Sequence, residues 1–269
     1  MLKEEKSLKH KTSLYTIALL PWQTFTSPAA GFFLHHQNRQ MWKMENNVKQ
    51  LTKTLNTGET RVAQARGNLD DVMAMMCLVY WLKPQKLPTR VSTCIKNGKK
   101  RLREEVLTEC GMGIPDADMV SKLKLLNMVL LETLRLYCPV LETLRETSRA
   151  TKLGDFLIPK GVFITIQLVQ LHRSKEYWGE DANDFNPLRF KNGVSQAAKH
   201  PNAFLGFGMG PRTCLGQNFA MLEVKLVLFL LLQRFLLVLS PEYKHAPANY
   251  LTMEAQYGVP TIVKPLLSK

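Results

Sequence analysis

A single cysteine lies in a short glycine-rich segment where its sulfur could serve as a metal ligand. The segment reads Phe207-Gly-Met-Gly-Pro-Arg-Thr-Cys-Leu-Gly216, and Cys214 stands three residues before a long apolar stretch. Glycines let a flat macrocycle approach the backbone closely and also permit positive φ angles. Arg212 offers a fixed fork of donors that suits a carboxylate such as a propionate. These residue types together favour thiolate ligation of a haem iron by Cys214.

The element that must position this cysteine is the stretch that follows it. Residues 217–235 are rich in apolar helix formers, and they predict a long buried helix. The positive end of such a helix would favour the thiolate form of a sulfur placed just before it. The alternative interpretation of Cys214 is a buried free cysteine that behaves as a small apolar side chain.

The segment matches the cytochrome P450 pattern Phe-x-x-Gly-x-Arg-x-Cys-x-Gly at every fixed position, and the chain therefore resembles that family. Ala220 also fits the usual extension of the pattern. The resemblance implies that Cys214 is the catalytic centre and the axial ligand of haem b, where a thiolate favours O–O bond cleavage. Arg145 is included among the cofactor-binding residues by its position alone. The implied set comprises Phe207, Gly208, Gly210, Arg212, Cys214, Gly216 and Arg145.

Two further segments resemble family motifs. Residues 121–136 predict a buried helix, on which Glu132 and Arg135 are spaced i and i+3 and so share a face. An exposed pair of this kind would contribute little to stability. The segment Phe185-Asn-Pro-Leu-Arg-Phe190 resembles the family's Pro-x-Arg-Phe element, and the resemblance implies a structural triad of Glu132, Arg135 and Arg189. The alternative for Arg189 is a solvated loop arginine.

The β content is predicted around these motifs. Residues 151–161 indicate a hairpin, because a Gly-Asp turn and a Pro-Lys-Gly turn surround a short apolar run. The β-branched run over residues 162–169 predicts a strand, and 171–179 resembles a short family helix. Within it, His172 is interpreted as a packing and hydrogen-bonding residue. Residues 250–263 resemble a C-terminal β hairpin of the family.

The first hundred residues match the family less well. Residues 37–55 have helical periodicity, and residues 68–76 resemble the segment that leads towards the family's oxygen-binding helix. That helix should carry an Ala/Gly-Gly-x-Asp/Glu-Thr-Thr motif, which does not occur between Met76 and Arg101. The stretch Thr57-Gly-Glu-Thr60 is similar only superficially. We therefore expect a truncated chain that lacks the acid-threonine pair used to deliver protons to bound dioxygen.

The expected fold is mainly α with a small β component (α+β), the C-terminal half of a cytochrome P450-like fold, and incomplete. Residues 1–100 are expected to form a poorly matched N-terminal region with partial family helices. Residues 101–269 are expected to form the haem-binding part. The amino-acid sequences of the motifs are most similar to those of plant members of the family.

Charge and cysteine content restrict the partners. The formal net charge is +14, from 36 basic and 22 acidic residues. This excess is compatible with docking of an acidic flavoprotein reductase or with a membrane-facing surface. Nucleic-acid binding is disfavoured, because the basic residues form no stripe interleaved with aromatic residues. The five cysteines show no metal-cluster spacing, which favours a reducing compartment.

The function implied by the resemblance is that of a haem-thiolate monooxygenase, which inserts one atom of dioxygen into a small lipophilic substrate. The resemblance implies the cytosolic face of the endoplasmic-reticulum membrane, although no transmembrane anchor is predicted in this sequence. Two alternatives remain open. One is a non-catalytic haem-binding remnant, and the other is a truncated gene product without activity.

Overall fold

The computed structural model describes residues 61–65, 89–113, 115–249 and 252–266. The segments predicted at 37–55, 57–60 and 68–76 lie outside these residues. Among the described helices, none is long and apolar enough to cross a membrane.

Six α-helices are described, and the two longest flank the middle of the chain. The last of them, α6, buries side chains around most of its circumference, which explains its nearly uniform apolar sequence. Short 3₁₀ turns lie between Trp178 and the start of α6 at Gln217. The helices are α1 (Thr89–Cys110), α2 (Ala117–Ser121), α3 (Lys124–Leu136), α4 (Leu168–Arg173), α5 (Lys175–Trp178) and α6 (Gln217–Arg234).

Among the described residues, nine short strands form small antiparallel sheets. The strands are β1 (Arg61–Ala65), β2 (Glu142–Glu146), β3 (Thr151–Leu153), β4 (Phe156–Ile158), β5 (Phe163–Gln167), β6 (Phe235–Leu239), β7 (Pro247–Asn249), β8 (Met253–Ala255) and β9 (Val259–Pro265). One sheet has three strands in the order β1-β9-β6, and the other described sheets are pairs of β2 with β5, β3 with β4, and β7 with β8. The mainly helical α+β class predicted from the sequence is therefore confirmed.

The described residues fall into two compact units. The unit that contains residues 128–214 and 247–254 has an aromatic core of Trp178 and Phe190, with Phe204 packed against it. The other unit contains α1, α2, α6 and the three-stranded sheet, and its core includes Leu102 and Phe229. Trp178, Phe190, Leu102 and Phe229 are each at most 3% exposed, so both cores remove apolar surface from water.

Local signals predicted most element positions well. The predicted helix over 121–136 begins at Lys124, the hairpin is β3 and β4, and the strand over 162–169 is β5. Gly154 supplies the positive φ of 59° that the hairpin turn requires. The predicted short helix over 171–179 is split into α4 and α5.

The predicted C-terminal hairpin is wrong in its pairing. Strand β8 pairs with β7, whereas β9 lies between β1 and β6, with Val263 opposite both Arg61 and Leu237. The physical reason is that β9 buries alternate residues and bonds along both edges, so it needs two long partners. The three-residue strand β8 cannot supply that pairing.

Candidate functional site

The segment around Cys214 forms a closed loop. The Cys214 N–H donates to the Phe207 carbonyl oxygen at 2.8 Å, which ties together two residues seven positions apart. Between them, Gly208 has φ 73° and Gly210 has φ 72°, a region that side-chain-bearing residues rarely adopt. A 3₁₀ turn over Gly210–Arg212 completes the loop. The glycines are therefore required by the backbone path itself.

The space around these two glycines differs. A Cβ at Gly208 would lie 3.4 Å from the Arg212 carbonyl oxygen, which is van der Waals contact, so this position is enclosed by the loop's own backbone. A Cβ at Gly210 would meet nothing within 4 Å, so this glycine faces open space. Gly210 is thus needed for its φ angle, and the space beside it is available to a bound group.

The side chains of the loop suit a flat apolar molecule that carries carboxylates. Cys214 is a free and exposed thiol, and Met209 leaves 51% of its surface exposed. Arg212 is exposed on the same loop, where its guanidinium can meet a propionate. These residues fit the haem group expected from the sequence, because a thiol, an apolar side chain, a cation and an open glycine surface occur together.

Cys110 and Cys138 differ from Cys214 in their surroundings. Cys138 is buried, and burial raises the pKa of its thiol to about 11. Burial, followed by repulsion from Glu109, also raises the pKa of Cys110. A raised pKa keeps a thiol protonated, whereas metal ligation requires the thiolate. Because its thiol is exposed, Cys214 is better placed than Cys110 and Cys138 to bind a metal.

Gly216 and Arg145 occupy different surroundings. Gly216 is the N-cap residue of α6, and its carbonyl oxygen accepts a bond from the Ala220 N–H at 2.8 Å. Arg145 lies exposed on β2, and its guanidinium donates to Thr143 Oγ1 at 2.6 Å and to the Leu144 carbonyl oxygen at 2.9 Å. The hydrogen bonds of Arg145 thus stay within its own strand, which leaves its assignment to a propionate a prediction.

The structure brings together Glu132, Arg135 and Arg189. The Glu132 carboxylate receives two parallel bonds from Arg135, at 2.7 Å from Nε and 2.8 Å from an Nη, and both side chains are fully buried. The remaining Arg135 donors reach three backbone carbonyl oxygens, so all five N–H groups of its guanidinium have acceptors. Those carbonyls belong to His172, Ala182 and Asp184, at 2.6, 2.6 and 3.2 Å.

Arg189 joins the same carboxylate from the other side. Its Nε lies 3.4 Å from Glu132 Oε1, and one Nη donates to the Trp178 carbonyl oxygen at 3.0 Å. The other Nη forms an ion pair of 2.6 Å with Asp181. Burial acts to raise the pKa of the Asp181 carboxyl, but the bonds and charge of Arg189, together with the bond from Asn186, lower it overall. Two cations and two anions therefore balance, and the 7% exposure of the Arg189 side chain does not fit the alternative of a solvated loop arginine.

Several partners of the triad were not identified from the sequence, and Asp181 and His172 are two of them. Asp181 supplies the second negative charge, and the carbonyl oxygen of His172 accepts from Arg135. Asp181 carried no visible signal, because a carboxylate eight residues from Arg189 fits no regular helix or strand spacing. The packing role expected for His172 agrees with its full burial and its ring contacts with Phe204 and Trp178.

Comparison with known proteins adds independent support. The family model for cytochrome P450 matches residues 96–259, which is more than half of the chain. Cytochrome P450 709B3 of Arabidopsis thaliana is 56% identical over 169 residues, covering 62% of this chain and 33% of that protein. CYP72A219 of Panax ginseng is 34% identical over 280 positions, covering 91% of this chain and 54% of that protein.

A third relative, secologanin synthase 1 of Catharanthus roseus, is 46% identical over 170 residues, covering 63% of this chain and 32% of that protein. The chain thus spans about a third to a half of the length of these curated relatives. Because the family model matches over residues that include the Cys214 loop and the Glu132 network, this chain belongs to the cytochrome P450 family, and its similar relatives are plant members.

Proposed function

We propose that this chain is the haem-binding part of a monooxygenase-type oxidoreductase in which Cys214 is the thiolate ligand of a haem b iron. The observation that carries the proposal is the exposed Cys214 thiol on a loop closed by the bond from Cys214 N to Phe207 O. Family membership supports cysteine-ligated haem in general. The exposed Cys214 thiol and the open space beside Gly210 support placing the haem ligand on this loop.

The loop residues have distinct roles in binding the cofactor. Gly208 and Gly210 have no side chains that would prevent a flat group from approaching the backbone. The Phe207 carbonyl oxygen accepts the hydrogen bond that fixes the Cys214 amide. Arg212 and Arg145 would hold the two propionates as charge-assisted partners. The haem, when bound, would supply the chemistry by which dioxygen, two protons and two electrons from a flavoprotein reductase give one oxygen atom inserted into a lipophilic substrate and one molecule of water.

The buried network of Glu132, Arg135 and Arg189 has a structural task. It fixes the backbone carbonyls of α4 and of the segment after α5 with charge-assisted bonds. Such bonds are stronger than neutral ones and are directional. The network therefore favours one arrangement of the connecting segments over its alternatives.

A second candidate function is haem binding without turnover. The observation that favours it is the lack of an acid-threonine pair in the sequence between Met76 and Arg101. In this family that pair relays protons to bound dioxygen, and a general-acid relay commonly contributes about 10²–10⁴-fold in rate. A chain without the relay would bind the cofactor but consume reducing equivalents with little product.

The reduced carbon-monoxide spectrum of the haem-supplemented chain tests the ligand. We expect a Soret band at the position typical of a thiolate ligand, and Cys214→Ser should abolish it, because an alcohol does not ionise to a comparable ligand. Cys110→Ser is the matched control and should retain the band, since that thiol lies on α1 with a raised pKa.

A folded wild-type chain that binds haem but shows no thiolate band would contradict the proposal. Retention of the band in Cys214→Ser would contradict it equally. Substrate oxidation coupled to a flavoprotein reductase then separates the two candidate functions: coupled product formation supports the monooxygenase, and NADPH consumption without product supports the binding-only alternative.

A further inference from the structure

The side chain of His172 is bonded to the chain just before the Cys214 loop. Its Nε2 accepts a hydrogen bond from the Leu205 backbone N–H at 2.9 Å, although the two residues are 33 positions apart. The Leu205 carbonyl oxygen in turn accepts from the Gly208 N–H at 3.0 Å. One side chain therefore holds the residue from which the loop turns.

The ring of His172 also packs against the same segment. It stacks on the ring of Phe204 with centroids 5.5 Å apart and an interplanar angle of 20°. The Phe204 ring lies so close to the backbone of Gly206 that a Cβ there would come within 2.7 Å of it. The stacked rings thus fill the space beside Gly206. The hydrogen bond to Leu205 and the ring contact with Phe204 together hold residues 204–206.

The backbone of His172 is held independently by the charged network. Its carbonyl oxygen accepts from Arg135 at 2.6 Å, and Arg135 is locked to Glu132 by two parallel bonds. A continuous set of contacts therefore runs from Glu132 through Arg135 and His172 to Leu205. Every link is a directional bond within one compact unit.

Nε2 is the acceptor atom of the His172 ring. Because Nε2 accepts a bond, the proton of the neutral ring resides on the buried Nδ1. Burial, reinforced by repulsion from Arg135, lowers the pKa of His172 to about 4 and keeps the ring neutral. An acceptor at Nε2 is thus available at neutral pH.

We propose that His172 is a positioning residue that transmits the rigidity of the Glu132–Arg135 network to the Cys214 loop through its bond to Leu205. This inference rests on the proposed function only where it concerns the thiolate. It concerns a residue outside the Cys214 loop, whose described bonds and ring contacts are with Arg135, Leu205, Phe204 and Trp178. Its effect is to restrict the loop before any group is bound.

Two substitutions separate the acceptor from the ring. His172→Phe keeps an aromatic ring that can stack on Phe204 but leaves the Leu205 N–H without its acceptor. His172→Gln loses the ring but can place its Oε1 near the position of Nε2. Hydrogen exchange of the full 269-residue chain reports on Leu205 and Gly208, and the carbon-monoxide spectrum of the haem-loaded chain reports on Cys214.

We expect His172→Phe to speed exchange at Leu205 and Gly208 by about tenfold or more, because a part-buried donor loses its acceptor. The same variant should show a smaller fraction of the thiolate band at equal haem occupancy. His172→Gln should restore both readouts towards wild type. Amides of β6, in the other unit, serve as the internal control and should exchange at unchanged rates in both variants.

Unchanged exchange at Leu205 in His172→Phe would overturn the inference. So would faster exchange accompanied by an undiminished thiolate band, because the loop would then be loosened without consequence for the ligand. If the wild type itself lacks a thiolate band, the proposed function fails, and the exchange comparison still decides whether His172 holds the loop.

Discussion

At the scale of single residues, the feature that most constrains this molecule is a charge balance in its interior. The Glu132 carboxylate is completely buried and lies between Arg135 and Arg189, and Asp181 provides the compensating negative charge at the edge. Buried ion pairs of this kind contribute little net stability when intact, because desolvation opposes the attraction. Removal of one partner is costly, since the other charges remain buried. The network therefore specifies geometry more than it adds stability.

Replacement of Glu132 tests this balance. Glu132→Gln has nearly the same shape but leaves two arginines with one partly exposed carboxylate, and we expect it to lower the free energy of unfolding by about 3–5 kcal/mol. The matched control is Glu180→Gln, which removes an exposed ion pair of 2.7 Å with Lys175 and should cause no measurable change. Urea unfolding of the three proteins provides the comparison. Equal stabilities of the two variants would show that the buried balance is unimportant.

Protonation of His172 gives a second test at this scale. Its pKa is lowered from 6.5 to about 4 in the folded chain, because burial and the charge of Arg135 disfavour the imidazolium. The unfolded state therefore binds more protons between these values, so stability is fully present above about pH 6.5 and declines as pH falls towards 4. The largest loss from this group is about 3 kcal/mol.

The measurement is the difference between the unfolding free energies at pH 7 and pH 4.5, in wild type and in His172→Gln. Other groups also titrate in this range, so the prediction concerns the difference between the two proteins. Glutamine has no charge to acquire, and the decline should be smaller in the variant. Equal declines would show that His172 is not held neutral by the fold.

At the scale of elements, signals within one segment predicted helices and turns, whereas contacts between distant segments could not be predicted. Helix α6 follows from its apolar composition, and the β3–β4 hairpin from its Gly-Asp turn. The pairing of β9 with β1 was missed because the two strands are nearly 200 residues apart, and no local pattern identifies a partner. The spacing of Glu132 and Arg135 predicted their pairing, but Asp181 joins them only through the tertiary fold.

The start of α3 shows the same limit for a helix cap. Its first turn carries no acidic residue, yet the Leu125 and Leu126 N–H groups donate to the Glu105 carboxylate at 2.7 and 3.0 Å. A capping residue is normally sought immediately before a helix. Here the carboxylate belongs to α1, twenty positions upstream, so the sequence pattern of α3 gave no indication of it.

Glu105→Ala should leave these two amides without their acceptor and lower the free energy of unfolding by about 1 kcal/mol, the usual contribution of a helix cap. Hydrogen exchange should accelerate at Leu125 and Leu126 more than in the middle of α3. Glu104→Ala is the neighbouring control, since Glu104 is exposed and pairs only weakly with Lys100 at 3.7 Å. If Glu104→Ala accelerates the same amides equally, the cap from α1 is not what holds this helix end.

At the scale of the whole molecule, charge is the property that most affects encounters with other proteins. The 36 basic and 22 acidic residues give a formal net charge of +14, and both parts of the sequence share the excess. Residues 1–110 hold 18 basic and 9 acidic residues, and residues 111–269 hold 18 and 13. Such a surplus attracts acidic partners over distances comparable with the Debye length and raises association rates at low salt.

The proposed electron donor provides the last test. If an acidic flavoprotein reductase docks through this charge, its affinity for the chain should fall when the ionic strength rises, because the Debye length shortens from about 10 Å at 0.1 M to about 3 Å at 1 M. We expect slower association and a higher Kd at high NaCl, with the dissociation rate less affected. An uncharged osmolyte at matched osmolality should have little effect. An affinity that is insensitive to salt would show that apolar contacts, rather than the net positive charge, govern recognition of the donor.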